Sequence, residues 1–251
     1  MRGERAPEKV FDKYAGAGAY HWRETGRHLL WHNAFTAERY RRVLAALGAL
    51  DGRRVLDYGC GDGALLAPLS RAVGARGAVH GFDPTPGALE FAERMLRARG
   101  LAATLHRDRA DIPAASFDRI ACTEVIEHVA EPEMLLKDLA RLLRPGGIAV
   151  VTTPVRLTER PEDPNHVHEW FPEEFADLLA SAPLTVLRHE QVIPAAAAEV
   201  YFWRPRLCLR IPVFRLLCNA LSITAGVNAL SWLRLRPRLF MMQLAVLEKP
   251  R

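Results

Sequence analysis

The stretch that decides the fold of this 251-residue chain is Val55-Leu56-Asp57-Tyr58-Gly59-Cys60-Gly61-Asp62-Gly63. It predicts a buried strand that ends in a tight turn and opens a helix over residues 64–73. Glycines let the backbone approach a ligand that a side chain would exclude, and the first turn of a helix presents unpaired N–H groups. The stretch therefore predicts a small-molecule site at the carboxyl end of the first strand.

The same turn is compatible with two kinds of nucleotide. Gly59, Gly61 and Ala64 satisfy the dinucleotide pattern G-x-G-x-x-G/A. Asp83 closes the second predicted strand, where a carboxylate suits the two hydroxyls of a ribose, with a helix cap as its alternative role. NAD and an adenosyl cofactor share that ribose, so the choice between them stays open at this point.

Size and composition indicate one medium domain with elaborations. The 251 residues are 49% hydrophobic, which is enough to bury a core without disulfides or metals. The amino-terminal residues 1–9 are charged and no apolar run follows them, which predicts a cytoplasmic protein without a signal peptide. The cysteines show neither a metal spacing nor a secreted framework, and they are Cys60, Cys122, Cys208 and Cys218.

The net charge of +5 is concentrated in one region. Residues 201–247 contain no Asp, Glu or Lys, and their seven arginines are Arg204, Arg206, Arg210, Arg215, Arg234, Arg236 and Arg238. That region carries +7, so the remainder carries 5 − 7 = −2. This asymmetry argues against a general nucleic-acid-binding surface.

Strand and helix patterns alternate from Arg53 onward, which is typical of a parallel sheet. The predicted strands are Arg54–Tyr58, Ala78–Phe82, Ala103–His106, Arg119–Cys122, Gly147–Thr152, Leu184–Val192 and Leu239–Glu248. Helices are predicted at residues 64–73, Gly87–Arg99, Pro132–Leu143 and Pro172–Ala180. We expect an α/β, Rossmann-like fold, a mostly parallel seven-stranded sheet with helices on both faces. Its predicted parts are an N-terminal helical lid (1–50), the core (51–194), a basic apolar helical insertion (195–238) and the final strand (239–251).

The first fifty residues are predicted to be helical, with Ala37–Leu50 periodic along one apolar side. Aromatic and histidine side chains alternate before it, and they are Phe11, Tyr14, Tyr20, His21, Trp22, His28, Trp31 and His32. A lid that closes over a substrate and a helix packed on the sheet edge are both compatible with this pattern.

The insertion is apolar at its centre and basic at its ends. Leu216–Leu233 carries no charge but is too polar to be assigned as a transmembrane helix, and tryptophans stand before it at Trp203 and near its end at Trp232. Such a segment suits a cap over an apolar, anionic acceptor or a peripheral membrane contact through residues 200–238. An ordinary cap that buries its leucines is the alternative. The lack of lysine argues against RNA as the partner.

Further motifs follow the glycine turn in a fixed order. They are Gly81-Phe82-Asp83, Arg107–Pro113, Ser116-Phe117-Asp118, Glu124-Val125-Ile126-Glu127-His128 and Leu143-Arg144-Pro145-Gly146-Gly147. Over roughly residues 50–180 the chain resembles the class I S-adenosylmethionine-dependent methyltransferases, of the type 11/25 group. Its E-x-x-E-H motif is similar to that of the ubiquinone-biosynthesis O-methyltransferases and the small-RNA 2′-O-methyltransferases.

The resemblance implies S-adenosylmethionine as the cofactor and assigns residues to each of its parts. Those for the methionine portion are Asp57, Gly59, Cys60, Gly61 and Gly63. Those for the ribose are Asp83 and Pro84, and those for the adenine are Asp108 and Arg109. By the same resemblance, Cys122, Thr123 and Glu124 would pass near the sulfonium. Arg109 departs from the family, whose members often carry a small neutral residue or an acid there.

Methyl transfer from a sulfonium is mainly a problem of positioning, but a hydroxyl acceptor also needs its proton removed. His128 is the first candidate base, with Glu124 and His21 as further catalytic candidates. The resemblance also implies an alternative, a divalent metal such as Mg²⁺ bound by Glu124, Glu127, His128 and His166. A purely structural role is the third possibility for this cluster.

The sequence thus predicts an S-adenosylmethionine-dependent methyltransferase for a small or lipid-like acceptor, methylated at oxygen. Alternatives are N- or C-methylation of a natural-product intermediate and ribose 2′-O-methylation of RNA. A non-catalytic cofactor-binding module and an NAD-linked oxidoreductase belong to other functional classes.

Overall fold

The chain was analysed as a computed structural model that describes residues 14–158, 161, 163–195, 201, 213–228 and 239–251. The sheet runs in the order β3-β2-β1-β4-β5-β7-β6. Its strands are β1 Arg54–Tyr58, β2 Ala78–Phe82, β3 Thr104–His106, β4 Phe117–Thr123, β5 Leu143–Pro154, β6 Thr185–Pro194 and β7 Phe240–Glu248. The ladders among β1 to β5 are parallel, and β7 is antiparallel to both β5 and β6. The predicted mostly parallel, seven-stranded α/β fold is confirmed.

Helices cover both faces of this sheet. They are α1 Tyr14–Ala17, α2 Tyr20–Glu24, α3 Ala34–Leu47, α4 Leu66–Val73, α5 Pro86–Arg97, α6 Pro132–Leu142, α7 Pro172–Ala180 and α8 Val213–Ala225. Alternation along β1 divides the core, since Val55 packs with α3 and α4 whereas Leu56 packs with α6 and α7. Because both faces are covered, the central strands read as continuous apolar runs.

Local interactions explain where the structure moves a predicted boundary. Helix α3 begins at Ala34 because the Asn33 side chain caps it, accepting hydrogen bonds from the N–H groups of Phe35 and Thr36 at 3.0 and 3.4 Å. Strand β5 extends beyond the predicted Gly147–Thr152 because it continues its ladder with β7 as far as Pro154.

The insertion is described only in part, by Tyr201 and residues 213–228. Most of the arginines and both tryptophans from which the insertion was interpreted lie outside the described residues. They are Trp203, Arg204, Arg206, Arg210, Trp232, Arg234, Arg236 and Arg238, and Cys208 and Phe11 also lie outside. Within the described ranges, none of the helices has the length and hydropathy that a membrane span requires. The division of the chain into lid, core, insertion and final strand stays a prediction.

The turn after β1 leaves no space for a side chain at its glycine positions. Gly63 has a φ of +80°, and a Cβ placed on it would lie 2.8 Å from the Cβ of Ala92 in α5. Two contributions therefore oppose substitution here, the left-handed backbone and the contact with a neighbouring helix. The close packing of α5 against the turn fixes the carboxyl ends of β1 and β2 relative to each other.

We expect Gly63→Ala to lower the free energy of unfolding by about 2–5 kcal/mol, through backbone strain and overpacking. Gly87→Ala is the matched control, because Gly87 is helical and nothing lies within 4 Å of its Cβ position. That control should be neutral or slightly stabilising. Thermal unfolding of both variants checks this, and equal midpoints would contradict the packing argument.

Candidate active site

The carboxyl ends of the parallel strands and the N-terminal segment enclose a cavity of about 700 Å³. This volume lies within the range of small-molecule sites. One end of the cavity is formed by the turn after β1 and by the end of β2. The opposite end is formed by residues that follow β4 and β5, where acidic and histidine side chains gather. The cavity therefore joins the predicted cofactor residues to the predicted catalytic residues.

Asp57 is the most unusual residue at the cofactor end. Its side chain lines the cavity and is 1% exposed, and its Oδ1 has no hydrogen-bond partner among the described residues. Burial raises the pKa of Asp57 to about 8, with further contributions from Asp83 and Asp62. A buried, unpaired carboxylate is costly, so this oxygen fits a cationic group of a bound ligand.

Asp83 lines the same end of the cavity beside Pro84, and its carboxylate is held rigidly. Its Oδ2 accepts a hydrogen bond from the Gly61 N–H and its Oδ1 accepts one from the Thr85 N–H, both at 2.9 Å. Each carboxylate oxygen has a second lone pair for a ligand hydroxyl. The carboxylate thus fixes the turn before α5 and also fits a diol.

The predicted cofactor residues divide into two groups. Those that line the cavity are Asp57, Gly59, Cys60, Asp83, Pro84 and Thr123. Those outside the lining are Gly61, Gly63, Asp108, Arg109 and Cys122. Cys122 packs in the core on the α6 side of the sheet, and Asp108 accepts a hydrogen bond from the Ala110 N–H at 2.8 Å. The adenine-binding role of Asp108 and Arg109 stays a prediction.

Asp62, within the glycine turn, anchors the N-terminal segment, a role that sequence reasoning missed. Its Oδ2 accepts a hydrogen bond from the His21 N–H at 2.9 Å, and its Oδ1 lies 3.3 Å from Nδ1 of the same residue. Its carbonyl accepts a hydrogen bond from Nε1 of Trp22 at 2.6 Å. These contacts place Tyr14, Tyr20 and His21 in the cavity wall while Trp22 enters the core.

The N-terminal segment contributes both to the core and to the cavity wall. Trp22 packs on the body of the protein, and Tyr14 and Tyr20 line the cavity. Closure of this segment over a substrate stays a prediction. The contact with Asp62 supports an anchoring role for His21 more directly than the predicted catalytic one. No sequence motif marks this contact, because it joins residues separated by about forty positions.

Three of the four predicted metal ligands lie together at the other end of the cavity. Glu127, His128 and His166 each place a ligand atom within 4.8 Å of the others. His128 donates from Nδ1 to the Asn165 carbonyl at 3.1 Å, which leaves its Nε2 as the nitrogen that carries the lone pair. His166 lies 2.5 Å from Oε1 of Glu169 through its own Nδ1.

Glu127 is fully buried within this cluster. Its Oε2 accepts a hydrogen bond from the Thr153 hydroxyl at 3.1 Å, and its Oε1 has no partner among the residues that the structure describes. Burial, and secondarily the neighbouring Glu124, raises the pKa of Glu127 well above its ordinary value. A short 3₁₀ turn, Ile126–His128, brings it to the end of β4.

The loop after β5 is tied to this turn through the backbone. The carbonyl of Glu127 accepts hydrogen bonds from the N–H groups of Val167 and His168 at 2.8 and 3.1 Å. His168 itself stacks on Trp170, with its Nε2 3.3 Å from the Ala130 carbonyl. His166 is therefore the histidine of this loop that joins the cluster, as the motif comparison predicted.

Glu124 departs from the predicted metal set. Its Oε2 forms an ion pair with Nη1 of Arg39 at 2.9 Å, and its Oε1 accepts a hydrogen bond from the Thr152 hydroxyl at 2.9 Å. Its φ of +53° is rare for a residue with a side chain. The Glu124 carboxylate is thus paired with a residue of α3. The group of possible metal ligands contains Glu127, His128 and His166 and does not include Glu124.

Arg39 was not singled out from the sequence, because it stands in a helix with two further arginines. Arg41 and Arg42 both bind Glu38, each with a contact of 2.7 Å. Arg39 instead points into the cavity wall, where its side chain is 19% exposed. The three arginines look alike in sequence, and only the folded structure shows that Arg39 differs from Arg41 and Arg42 by facing the cavity.

Part of the remaining wall is apolar. Side chains from the segment after β5, from β6 and from β7 line it, and they are Val155, Leu157, Ile193, Met241 and Met242. Ile193 has a φ of +63°, which is an outlier for a β-branched residue. Such strain is concentrated at ligand sites in proteins. This wall suits the hydrophobic part of an acceptor.

The ion pair between Arg39 and Glu124 should couple α3 to the end of β4. We expect Arg39→Met to lower the free energy of unfolding by about 2 kcal/mol, because it leaves a partly buried carboxylate unpaired. The double variant Arg39→Met/Glu124→Met should recover most of that loss. Arg41→Met, at a side chain that is 53% exposed, is the control and should change little. Additive losses in the double variant would argue against the coupling.

Comparison with known proteins gives the family context of this site. A family model described as a methyltransferase domain matches residues 30–203. A ubiquinone biosynthesis O-methyltransferase from Cereibacter sphaeroides is 32% identical over 170 residues, covering 59% of this chain and 66% of that protein. The aklanonic acid methyltransferase DauC from a Streptomyces species is 31% identical over 175 residues, covering 68% and 70%. The chain thus spans about two thirds of the length of these relatives.

Solved structures agree in fold. Phosphoethanolamine N-methyltransferase 2 from Haemonchus contortus, solved with S-adenosyl-L-methionine, has a TM-score of 0.67 at 16% identity, covering 99% of this chain and 61% of that one. The [4+2]-cyclase SpnF has a TM-score of 0.62 at 18% identity, covering 86% and 81%. At these identities the likeness concerns the fold alone. With the family match over most of its length, the chain belongs to the methyltransferase domain family, as a class I S-adenosylmethionine-dependent methyltransferase.

Proposed function

We propose that this chain transfers a methyl group from S-adenosylmethionine to an oxygen of a small or lipid-like acceptor bound in the 700 Å³ cavity. One observation carries the proposal. The Asp57 carboxylate, whose Oδ1 has no hydrogen-bond partner among the described residues, and the cluster of Glu127, His128 and His166 line the same cavity. A site of this kind holds a cationic cofactor and a group able to accept a proton within one enclosure.

The cofactor end fits S-adenosylmethionine in its charge and in its backbone. The Asp57 carboxylate suits the ammonium of the methionine portion, and the Asp83 carboxylate suits the ribose hydroxyls. Gly59 lines the cavity at a φ of +79°, where a Cβ would collide with Val125. When bound, S-adenosylmethionine supplies a methyl group already activated on a sulfonium. The protein therefore has to bind, orient and exclude water.

His128 suits the role of general base at the acceptor end. Its Nδ1 donates to a backbone carbonyl, so the lone pair of Nε2 is the one that can accept a proton from an acceptor hydroxyl. Proton removal makes that oxygen a stronger nucleophile. Because the reacting atoms must also lie in line, the tie between the His128 turn and the loop after β5 contributes by fixing the imidazole.

A divalent metal at Glu127, His128 and His166 is the alternative way to activate the same hydroxyl. When bound, such an ion would lower the pKa of a hydroxyl that it ligates. With Glu124 paired to Arg39, the donor set is one carboxylate and two imidazoles. That set favours Mn²⁺ or Zn²⁺ over the Mg²⁺ expected from the sequence. The chain's own contribution is then to hold three ligands around one point.

The apolar wall supports an acceptor with a hydrophobic body. Met241, Met242 and Ile193 lie on the acceptor side, and methionine side chains adapt to irregular shapes. The relatives are named for ubiquinone biosynthesis and for aklanonic acid, which supports a small, largely apolar acceptor here. A cavity with acidic side chains and an apolar wall differs from the exposed stacking surfaces and basic grooves by which proteins recognise RNA.

We expect Asp57→Asn to raise the stability of the protein and to weaken its binding of the cofactor. In the ligand-free protein the carboxyl binds its proton more tightly when folded than when unfolded, so stability falls as pH rises from about 4 to about 8. Asparagine removes this penalty, and we expect a larger rise in melting temperature at pH 8 than at pH 5. Affinity for S-adenosylhomocysteine should fall about tenfold or more.

The control for that variant is Asp51→Asn, at an exposed surface carboxylate paired with Arg76. It should alter neither the pH dependence of the melting temperature nor the affinity, both of which calorimetry measures. An Asp57→Asn variant that binds S-adenosylhomocysteine as tightly as the parent would contradict the assignment of Asp57.

His166→Asn and His168→Asn form a matched pair that tests the acceptor end. If a metal acts, activity with a catechol-type acceptor should be lost in excess chelator and return with Mn²⁺ or Zn²⁺, and His166→Asn should lower it about 10- to 100-fold. His168→Asn should stay near the parent.

His128→Gln should lower the rate constant for methyl transfer about 100-fold or more under either mechanism. Full activity in chelator together with a fall of activity below the pKa of one group would select the general-base mechanism. Unchanged activity of His128→Gln would overturn both mechanisms.

A further inference from the structure

Exposed apolar side chains are concentrated in one part of the described structure. Of the thirteen large hydrophobic residues that are exposed there, seven fall in two short segments, and they are Leu29, Leu30, Trp31, Val213, Phe214, Leu217 and Leu221. Leu30, Trp31 and Leu217 are 61%, 56% and 59% exposed. We call these seven residues the apolar face. Contiguous exposed patches of this kind mark interaction sites.

Buried hydrogen bonds hold the two segments side by side. Asn219 is fully buried, and its Nδ2 donates to the carbonyls of Leu29 and His32 at 2.9 and 2.7 Å. Nε2 of His32 lies 2.8 Å from the Ser222 hydroxyl. Tyr201 donates its hydroxyl proton to Oδ1 of Asn219 at 2.5 Å. The contacts are specific, so the apolar face is a built surface.

Helix α8 is inverted relative to an ordinary surface helix. It directs Asn219 and Ser222 toward the protein, while Phe214, Leu217 and Leu221, spaced three or four residues apart, point to solvent. A surface helix normally buries its apolar side and exposes its polar side. The outward leucines therefore have no packing role within the described structure, although they are costly in water.

The charged residues within the two segments are basic. Residues 25–33 and 213–228 contain no Asp or Glu, and they carry Arg27 and Arg215, whereas Glu24, just before the first segment, accepts a hydrogen bond from the Thr36 hydroxyl. The guanidinium of Arg23 lies 5.3 Å from the centre of the Trp31 ring. In sequence, the whole stretch 201–247 has seven arginines and no acidic residue. An apolar surface with a tryptophan and surrounding arginines is complementary to the interface of an anionic bilayer.

We propose that the apolar face docks on an anionic lipid bilayer. The leucines and Phe214 would enter the boundary between headgroups and acyl chains, with Trp31 at headgroup level and the arginines on the phosphates. A purely hydrophobic protein partner would not account for the absence of acidic residues over both segments. Docking rests on this surface and does not depend on which acceptor is methylated.

The position of the apolar face also bears on the proposed function. Asn33 and Phe35 line the cavity and stand two and four positions after Trp31 in the chain. If the proposed function is right, a bilayer-dissolved acceptor would have a short path from the docked surface to the site. The docking surface thereby specifies the acceptor class as lipid-soluble.

Co-sedimentation with vesicles tests the docking. The full chain is incubated with vesicles of phosphatidylcholine containing about 30% phosphatidylglycerol, and with phosphatidylcholine alone. We expect partitioning at least fivefold stronger with the anionic vesicles, and weaker at about 0.5 M NaCl. Leu217→Ser/Leu221→Ser should lower the partition coefficient about tenfold. No sedimentation of the parent chain with anionic vesicles would overturn the proposal.

Val186→Ser/Leu187→Ser is the matched control, since both residues are exposed on β6, away from the two segments. It should change partitioning less than twofold. Binding of S-adenosylhomocysteine is measured on every variant and should be unchanged, which separates a failed docking surface from a failed cofactor site. Equal partitioning of the two double variants would overturn the proposal. So would a concentration-dependent dimer that only Leu217→Ser/Leu221→Ser abolishes, because the face would then be a protein interface.

Discussion

Three aspartate carboxylates, those of Asp57, Asp62 and Asp83, are forced together by the glycine turn that follows β1. The three carboxylates differ in their hydrogen-bond partners. Asp83 accepts hydrogen bonds from backbone N–H groups and so fixes the turn, and Asp62 accepts hydrogen bonds from the N-terminal segment and so holds that segment. Oδ1 of Asp57 has no hydrogen-bond partner among the described residues, and burial raises the pKa of this carboxyl. A positively charged ligand group beside Asp57 would therefore stabilise its ionised carboxylate, at the point where the cofactor is expected.

The carboxylates after β4 also differ in their partners. Oε2 of Glu124 pairs with Arg39 and its Oε1 accepts a hydrogen bond from Thr152, so Glu124 is not part of the histidine cluster. Glu127, buried beside it, has one oxygen without a hydrogen-bond partner among the described residues, and burial raises its pKa, so it favours its protonated form unless a cation binds. Both ends of the cavity therefore contain a carboxylate whose charge depends on what binds. The fold alone does not fix the chemistry, as the similarity to a [4+2]-cyclase illustrates.

Local signals in the sequence were sufficient for the order and type of the strands in the sheet. The bounds of β1 and β2 agree with the prediction because apolar runs there end in glycine and aspartate, and those of α7 agree because proline opens it. The roles of Arg39 and Asp62 were not predictable, since each depends on a contact between residues distant in sequence. The sequence predicted a basic, apolar insertion but not the orientation of α8. That orientation is set by the hydrogen bonds of Asn219, which reach residues far away in sequence.

The most direct test of this account is isothermal titration calorimetry with S-adenosylhomocysteine at pH 7, in buffers of different ionisation enthalpy. If Asp57 holds a proton in the free protein and loses it to pair with the ligand's ammonium, binding should release close to one proton per site. The Asp57→Asn variant should release almost none. Binding without proton release by the parent chain would contradict the central claim, as would proton release that survives the substitution.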